Sequence, residues 1–108
     1  MSAIQHSLDV YLGRVSERYP IEAAYLFGSY AYGQPTSDSD IDVAIVSSGF
    51  TGDYFRDNVS LGVMTWGVDT RIEAVGYRPE DFNEDRLLPN EIINKGIRIF
   101  PKSPNVVS

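Results

Sequence analysis

Leu8, Tyr11, Leu12 and Val15 recur at spacings of three and four, while Asp9, Arg14, Glu17 and Arg18 take the other side. That period predicts an amphipathic helix over residues 2–19, with Ser2 as its N-cap and Pro20 as its stop. The pattern then shortens. "IEAAYLF" (21–27) is an apolar run ending at Gly28 and predicts a first strand, and "DIDVAIV" (40–46) alternates before turning fully apolar and predicts a second. A loop over 47–52, "SSGFTG", leads into a helix from Asp53 to about Met64, weakened by Gly62. "VDTRIEAVGY" (68–77) predicts a third strand, with Asp69, Arg71 and Glu73 on one face and Val68, Thr70, Ile72 and Ala74 on the other. Pro79 opens a turn, "LLPNEIINKG" predicts a helix ending at Gly96, and 97–100 predict a closing strand. The order helix, strand, turn, strand, helix, strand, helix, strand implies one α/β (α+β) domain over 1–100: a small mixed β-sheet flanked by helices. The tail 101–108 is expected to be disordered.

Charge narrows the function. Nine basic against fifteen acidic groups give a net charge of −6, which repels phosphate backbones and argues against general nucleic-acid binding. One bound nucleotide stays open, because a divalent cation reverses the local sign. The chain has no Cys, so it can form neither a disulfide nor a thiolate zinc site; this fits a cytoplasmic protein. No stretch has the form of a secretory signal or of a membrane span. His6 is the only histidine, so a histidine-based metal site or catalytic triad is excluded.

The chemistry concentrates in "GSYAYGQPTSDSDIDVAIV" (28–46), where Asp38, Asp40 and Asp42 run into an apolar strand. Side chains alternate along a strand, so Asp40 and Asp42 point the same way, at about 6.5–7 Å between Cα atoms. Two carboxylates that close repel each other unless a proton or a cation is shared. Oxygen-only ligands suit Mg²⁺ or Mn²⁺, and Mg²⁺ combines one or two carboxylates with substrate phosphates. A calcium loop counted from Asp38 fails, because its sixth position is Val43 where glycine is needed and its twelfth is Gly49 where glutamate is needed. The competing structural reading is a polar turn entering an edge strand, with Asp40 or Asp42 capping backbone N–H groups. Just upstream, Gly28–Ser29 ends the first strand, where glycine allows close approach of a phosphate and a helix start offers free N–H groups.

Gly28, Ser29, Gly33, Ser39, Asp40 and Asp42 together resemble the signature of the DNA-polymerase-β-like nucleotidyltransferases. The short chain is similar to the minimal nucleotidyltransferase (MNT) group. The resemblance implies a polymerase-β palm-like fold. It also implies Asp40 and Asp42 as catalytic metal ligands, with Gly28, Ser29, Gly33 and Ser39 on the nucleotide. Asp38 precedes the matched Ser39, Asp40 and Asp42 and reads as a surface turn residue. A third carboxylate is expected from the neighbouring strand, Glu73 in preference to Asp69. Tyr32 departs from the family pattern, in which many relatives place Arg before the second glycine. The implied cofactor is Mg²⁺ or Mn²⁺, and the implied substrate is a nucleoside triphosphate, ATP. The implied partner is a helical HEPN-type protein, to which AMP is transferred in a toxin–antitoxin pair. A chain this short leaves little room for a separate substrate domain, which favours a protein acceptor. Two alternatives remain: a binding module that neutralises its partner sterically, and a small-molecule nucleotidyltransferase. A homo-oligomer is compatible with so many aromatics in a small domain, although no interface is identified.

Overall fold

A computed structural model describes residues 2–101, with side chains from Ile4 onward. Helix α1 (Ser2–Ser16) is followed by strand β1 (Ile21–Phe27) and a single-turn helix α2 (Ser29–Tyr32). Strand β2 (Ile41–Ser47), helix α3 (Tyr54–Val63) and strand β3 (Ile72–Tyr77) come next, and then a 3-10 turn (Pro79–Asp81), helix α4 (Leu87–Lys95) and strand β4 (Ile97–Phe100). The expected order of elements and the mixed α+β class are both present. Ser2 is the first residue of α1; its side chain, and the disorder expected for 102–108, lie outside the described residues.

The four strands form one sheet in the order β3-β2-β1-β4. β1 pairs antiparallel with β2 and with β4, and β2 pairs parallel with β3. A parallel neighbour requires a crossover of a dozen or more residues, which the segment carrying α3 supplies. One face of the sheet carries the main core. Ile4, Leu8, Tyr11, Leu12 and Val15 of α1 pack there on Ala24, Leu26, Ile41, Val43 and Ile45. The Tyr11 hydroxyl, buried in this layer, donates to the Leu61 carbonyl of α3 at 2.7 Å. The other face is thinner: Ala44, Val75 and Ile92 pack there with Tyr25, Phe27, Tyr77 and Phe82. Covered on both sides, β2 is buried at almost every position, which explains why its sequence reads as a continuous apolar run after Asp42.

Two boundaries differ from expectation by more than one residue. α1 stops at Ser16, and the backbone N–H groups of Arg18 and Tyr19 both turn back to the Val15 carbonyl, so the chain tightens ahead of Pro20. β3 begins at Ile72 instead of residue 68, so Asp69 and Arg71 are not strand residues. A turn replaces the predicted strand start. The Thr65 carbonyl accepts from the Val68 and Asp69 N–H groups, and the Asp69 carboxylate accepts from the Arg71 N–H at 3.0 Å. Local side-chain-to-backbone bonding of this kind outcompetes the β preference of Val68 and Thr70.

Candidate active site

Alternation along β2 divides its side chains between the two layers. Ile41, Val43 and Ile45 enter the main core, so Asp42 shares the thinner face with Ala44. On β3 the same rule places Glu73 with Val75. The parallel register then sets Asp42 opposite Glu73, and the antiparallel register sets Asp42 opposite Phe27, the last residue before Gly28. Three strands thus bring Phe27, Asp42 and Glu73 into one row, at the end of β1 and the start of β2 and β3.

Gly28 is required there for two reasons. Its backbone lies at φ 71°, a conformation that L side chains rarely adopt. A Cβ built on it would also land on Oδ2 of Asp42. Ser29 opens α2, and the Gly28 carbonyl accepts from the Ala31 and Tyr32 N–H groups at 3.0 and 3.1 Å. The first N–H groups of such a turn have no partner within it. Gly33 closes the turn, with its N–H on the Ser29 carbonyl at 3.0 Å, and a Cβ on it would come within 2.8 Å of the Ser29 Cα. The structure thus seats Gly33 as a support for Ser29. Ser39 closes the next loop, its Oγ accepting from the Thr36 N–H at 2.8 Å. That bond shapes the approach to Asp40.

The register that pairs Asp42 with Glu73 has an electrostatic consequence. The Asp42 carboxyl is raised above its ordinary pKa, first by burial and then by the negative charge of Asp40. Glu73, exposed on β3 yet partly shielded from water, is raised first by that desolvation and then by the charges of Asp40 and Asp42. Among the described residues, none of the three has a Lys or Arg in an ion pair. Asp42 and Glu73 therefore carry repulsion from their acidic neighbours that a bound cation would relieve, and the all-oxygen donor set suits a hard divalent ion. Among the described residues the side chains are not already drawn together as a ready-made metal cage of three or more His, Cys, Asp or Glu. A partial carboxylate set completed by phosphate oxygens is how Mg²⁺ is commonly held.

Asp69 has a different environment. Its Oδ2 accepts from Arg71 Nη2 at 2.8 Å and from Ser7 Oγ at 2.9 Å, while its Oδ1 accepts from Arg71 Nε at 3.0 Å. Hydrogen bonding to the Arg71 guanidinium holds its pKa down at about 2. Asp69 ties the β3 approach to α1, and Arg71 neutralises it. Asp38 lies exposed in the turn, with its N–H on Thr36 Oγ1 at 3.3 Å.

Tyr32 projects from α2, and its hydroxyl donates to Glu91 Oε2 of α4 at 2.6 Å. That bond, more than its slight burial, raises the phenol pKa, and the charge of Asp42 contributes. Glu91 lies 59 positions from Tyr32, and nothing in the sequence marks the pair. Sequence reasoning also missed Tyr54 and Asn58 of α3. With Phe27, Asp42, Glu73 and Leu88 they line a cleft of about 430 Å³. A larger concavity, of about 570 Å³, lies on the far flank of α3 and contains none of these carboxylates. The cleft that holds Asp42 and Glu73 is the better candidate, because chemistry needs the acids more than volume.

No curated protein matches the chain. Among solved structures, a "putative nucleotidyltransferase" from Sulfolobus solfataricus superposes with a TM-score of 0.58 at 19% identity, covering 91% of this chain and 86% of that one. At that identity the likeness establishes the fold. Residues 8–101 match the profile of the nucleotidyltransferase domain, a span that includes the Gly28 turn, the β2 aspartates and Glu73. With nearly the whole chain matched, the protein belongs to the nucleotidyltransferase domain family.

Proposed function

We propose that the protein is a divalent-metal-dependent nucleotidyltransferase that moves AMP from ATP to a hydroxyl of a partner protein, in the manner of the antitoxin of an MNT/HEPN pair. The observation that carries the reading is the register of Asp42 against Glu73, beside a glycine whose missing Cβ leaves room for the Asp42 carboxylate. Mg²⁺ or Mn²⁺ fits the Asp40, Asp42 and Glu73 oxygens, and would supply charge neutralisation for the triphosphate. Gly28 and Ser29 present backbone N–H groups and a hydroxyl to the phosphates from the start of α2. Glu73, with a carboxyl pKa raised by burial and by its acidic neighbours, is suited to orient the acceptor hydroxyl and take its proton. The hydroxyl oxygen then bonds to the α-phosphorus, and the bond to the β-phosphate bridging oxygen breaks, releasing pyrophosphate. A protein acceptor is supported by the setting of the cleft. It is open, and it is bordered by Tyr54 and Leu88, both apolar and exposed.

The test is incubation with α-labelled ATP and Mg²⁺, with and without the product of an adjacent gene. Label on that product, absent with an Asp40→Asn/Asp42→Asn double variant, is the expected result. A partner that binds and stays unlabelled favours the steric binding module instead.

A further inference from the structure

Helix α3 is built the wrong way round for a solvated helix. It buries Asp57 and Leu61, and it turns Phe55, Val59 and Val63 outward. Trp66, one turn further, extends the same row, and Phe55 and Trp66 are 77% and 68% exposed. Positions 55, 59, 63 and 66 follow the spacing of one helical stripe. Single exposed apolar residues are ordinary, whereas a contiguous row marks a contact surface. Gly62 lies within the row with nothing within 4 Å of where its Cβ would be, so no contact in this chain calls for glycine there. Glycine in a helix interior costs roughly 1 kcal/mol against alanine. What it provides is a low point at which another backbone can approach.

Charge identifies the occupant. One flank of the stripe opens into the concavity of about 570 Å³, lined by Val59, Val63 and Met64 with Arg18 and Arg56. Arg14 stands at the end of the same flank, its Nη1 donating to the carbonyls of Met64 and Trp66 at 3.2 and 2.6 Å. None of these three arginines forms an ion pair among the described residues. They are three of only nine basic groups on a chain of net charge −6. Asp57, the acid in the concavity, is fully engaged by the Thr51 N–H and hydroxyl and by the Gly52 N–H. Glu17, Glu22 and Asp53 are exposed acids of the segments around the concavity; Asp53 accepts from the Arg56 N–H at 3.1 Å and Glu22 from the Ser48 N–H at 2.9 Å. A second copy laid antiparallel on the stripe would bring the arginine flanks together. An anionic bilayer would be attracted by the flank and repelled by the rest of the molecule.

We propose that the α3 stripe with its arginine flank is the docking site for an amphipathic helix of a partner protein whose apolar row is edged by acidic side chains. Because Tyr54, Asn58 and Gly62 of α3 also line the cleft with Asp42 and Glu73, a helix seated there borders the candidate active site. This deepens the reading of a protein acceptor. It rests on that reading only for what the docked protein receives.

Trp66, the sole tryptophan, reports occupancy directly. Two synthetic helical peptides of equal length, one leucine row edged by Glu and the other by Lys, are titrated without nucleotide while Trp66 emission is followed. The Glu-edged peptide should shift the emission to the blue and bind at least about tenfold tighter than the Lys-edged one, a charge effect of ordinary size. Arg18→Glu/Arg56→Glu should invert that order, and Val59→Glu should abolish both responses while circular dichroism stays unchanged. Equal binding of the two peptides, or no shift with either, overturns the proposal. So does a blue shift that grows with protein concentration alone, or one given by phosphatidylserine vesicles in place of the peptide. Failure of AMP transfer leaves this measurement untouched.

Discussion

Asp42 and Glu73 stand side by side in the parallel β2–β3 pairing, neither in an ion pair among the described residues, and both carboxyls are pushed above their ordinary range. An acid raised in this way stabilises the fold at low pH, and that contribution is lost as pH rises through its folded-state value. At neutral pH the free protein therefore carries unrelieved repulsion. Asp42→Asn and Glu73→Gln should each raise the melting temperature at pH 7, without added metal, by about 2–5 °C, the exposure of Glu73 keeping its effect at the lower end. Stability gained as function is lost is a signature of a working site. Melting by circular dichroism at neutral and acidic pH measures it, and the gain should vanish on the acidic side.

Transfer should respond in the opposite sense. Asp42→Asn is expected to lower labelled AMP transfer by about two to three orders of magnitude. Glu73→Gln should lower it at least about 100-fold, and Asp69→Asn by less than about threefold, because Arg71 already neutralises Asp69. Equal losses in the last two variants would move the third carboxylate role away from Glu73.

Gly28→Ala tests the close approach to Asp42. The new methyl meets both a left-handed backbone and the carboxylate. The strained backbone alone, at φ 71° and ψ −150°, should cost about 1–3 kcal/mol of stability in urea melts. Displacement of Asp42 should lower transfer by more than about tenfold.

Asp69 provides a separate test at acid pH. Its pKa, held at about 2 by Arg71, is below the unfolded value. Its contribution is therefore fully present above the unfolded value and is lost as pH falls through about 2. Wild type should exceed Asp69→Asn in stability at pH 7, and the difference should shrink on approach to that acid limit.

What the sequence made legible was local or periodic. The 3–4 spacing of Leu8, Tyr11, Leu12 and Val15 yields the buried face of α1, and the apolar runs at 21–27 and 40–46 locate β1 and β2. The Gly28–Ser29 turn could be read because its glycine, hydroxyl and following aspartates lie within twenty residues of one another. The start of β3 could not be read, because Asp69 bonds its own neighbourhood more strongly than Val68 and Thr70 favour extension. Nor could the Tyr32–Glu91 bond or the place of Tyr54 and Asn58 beside the acids, since each depends on how α3 and α4 fold back across the sheet. The outward apolar row of α3 was hidden for another reason. Periodicity shows that a helix has two faces and leaves open which one the core takes.

Calorimetric titration of ATP probes a metal-dependent nucleotide site without needing an acceptor. It is carried out with and without Mg²⁺, on wild type and on Asp40→Asn/Asp42→Asn. Wild type should bind ATP only with Mg²⁺ present, and the double variant, its fold retained, should not bind it. Binding that is indifferent to Mg²⁺, or unchanged in the double variant, would contradict a nucleotide site built on these carboxylates.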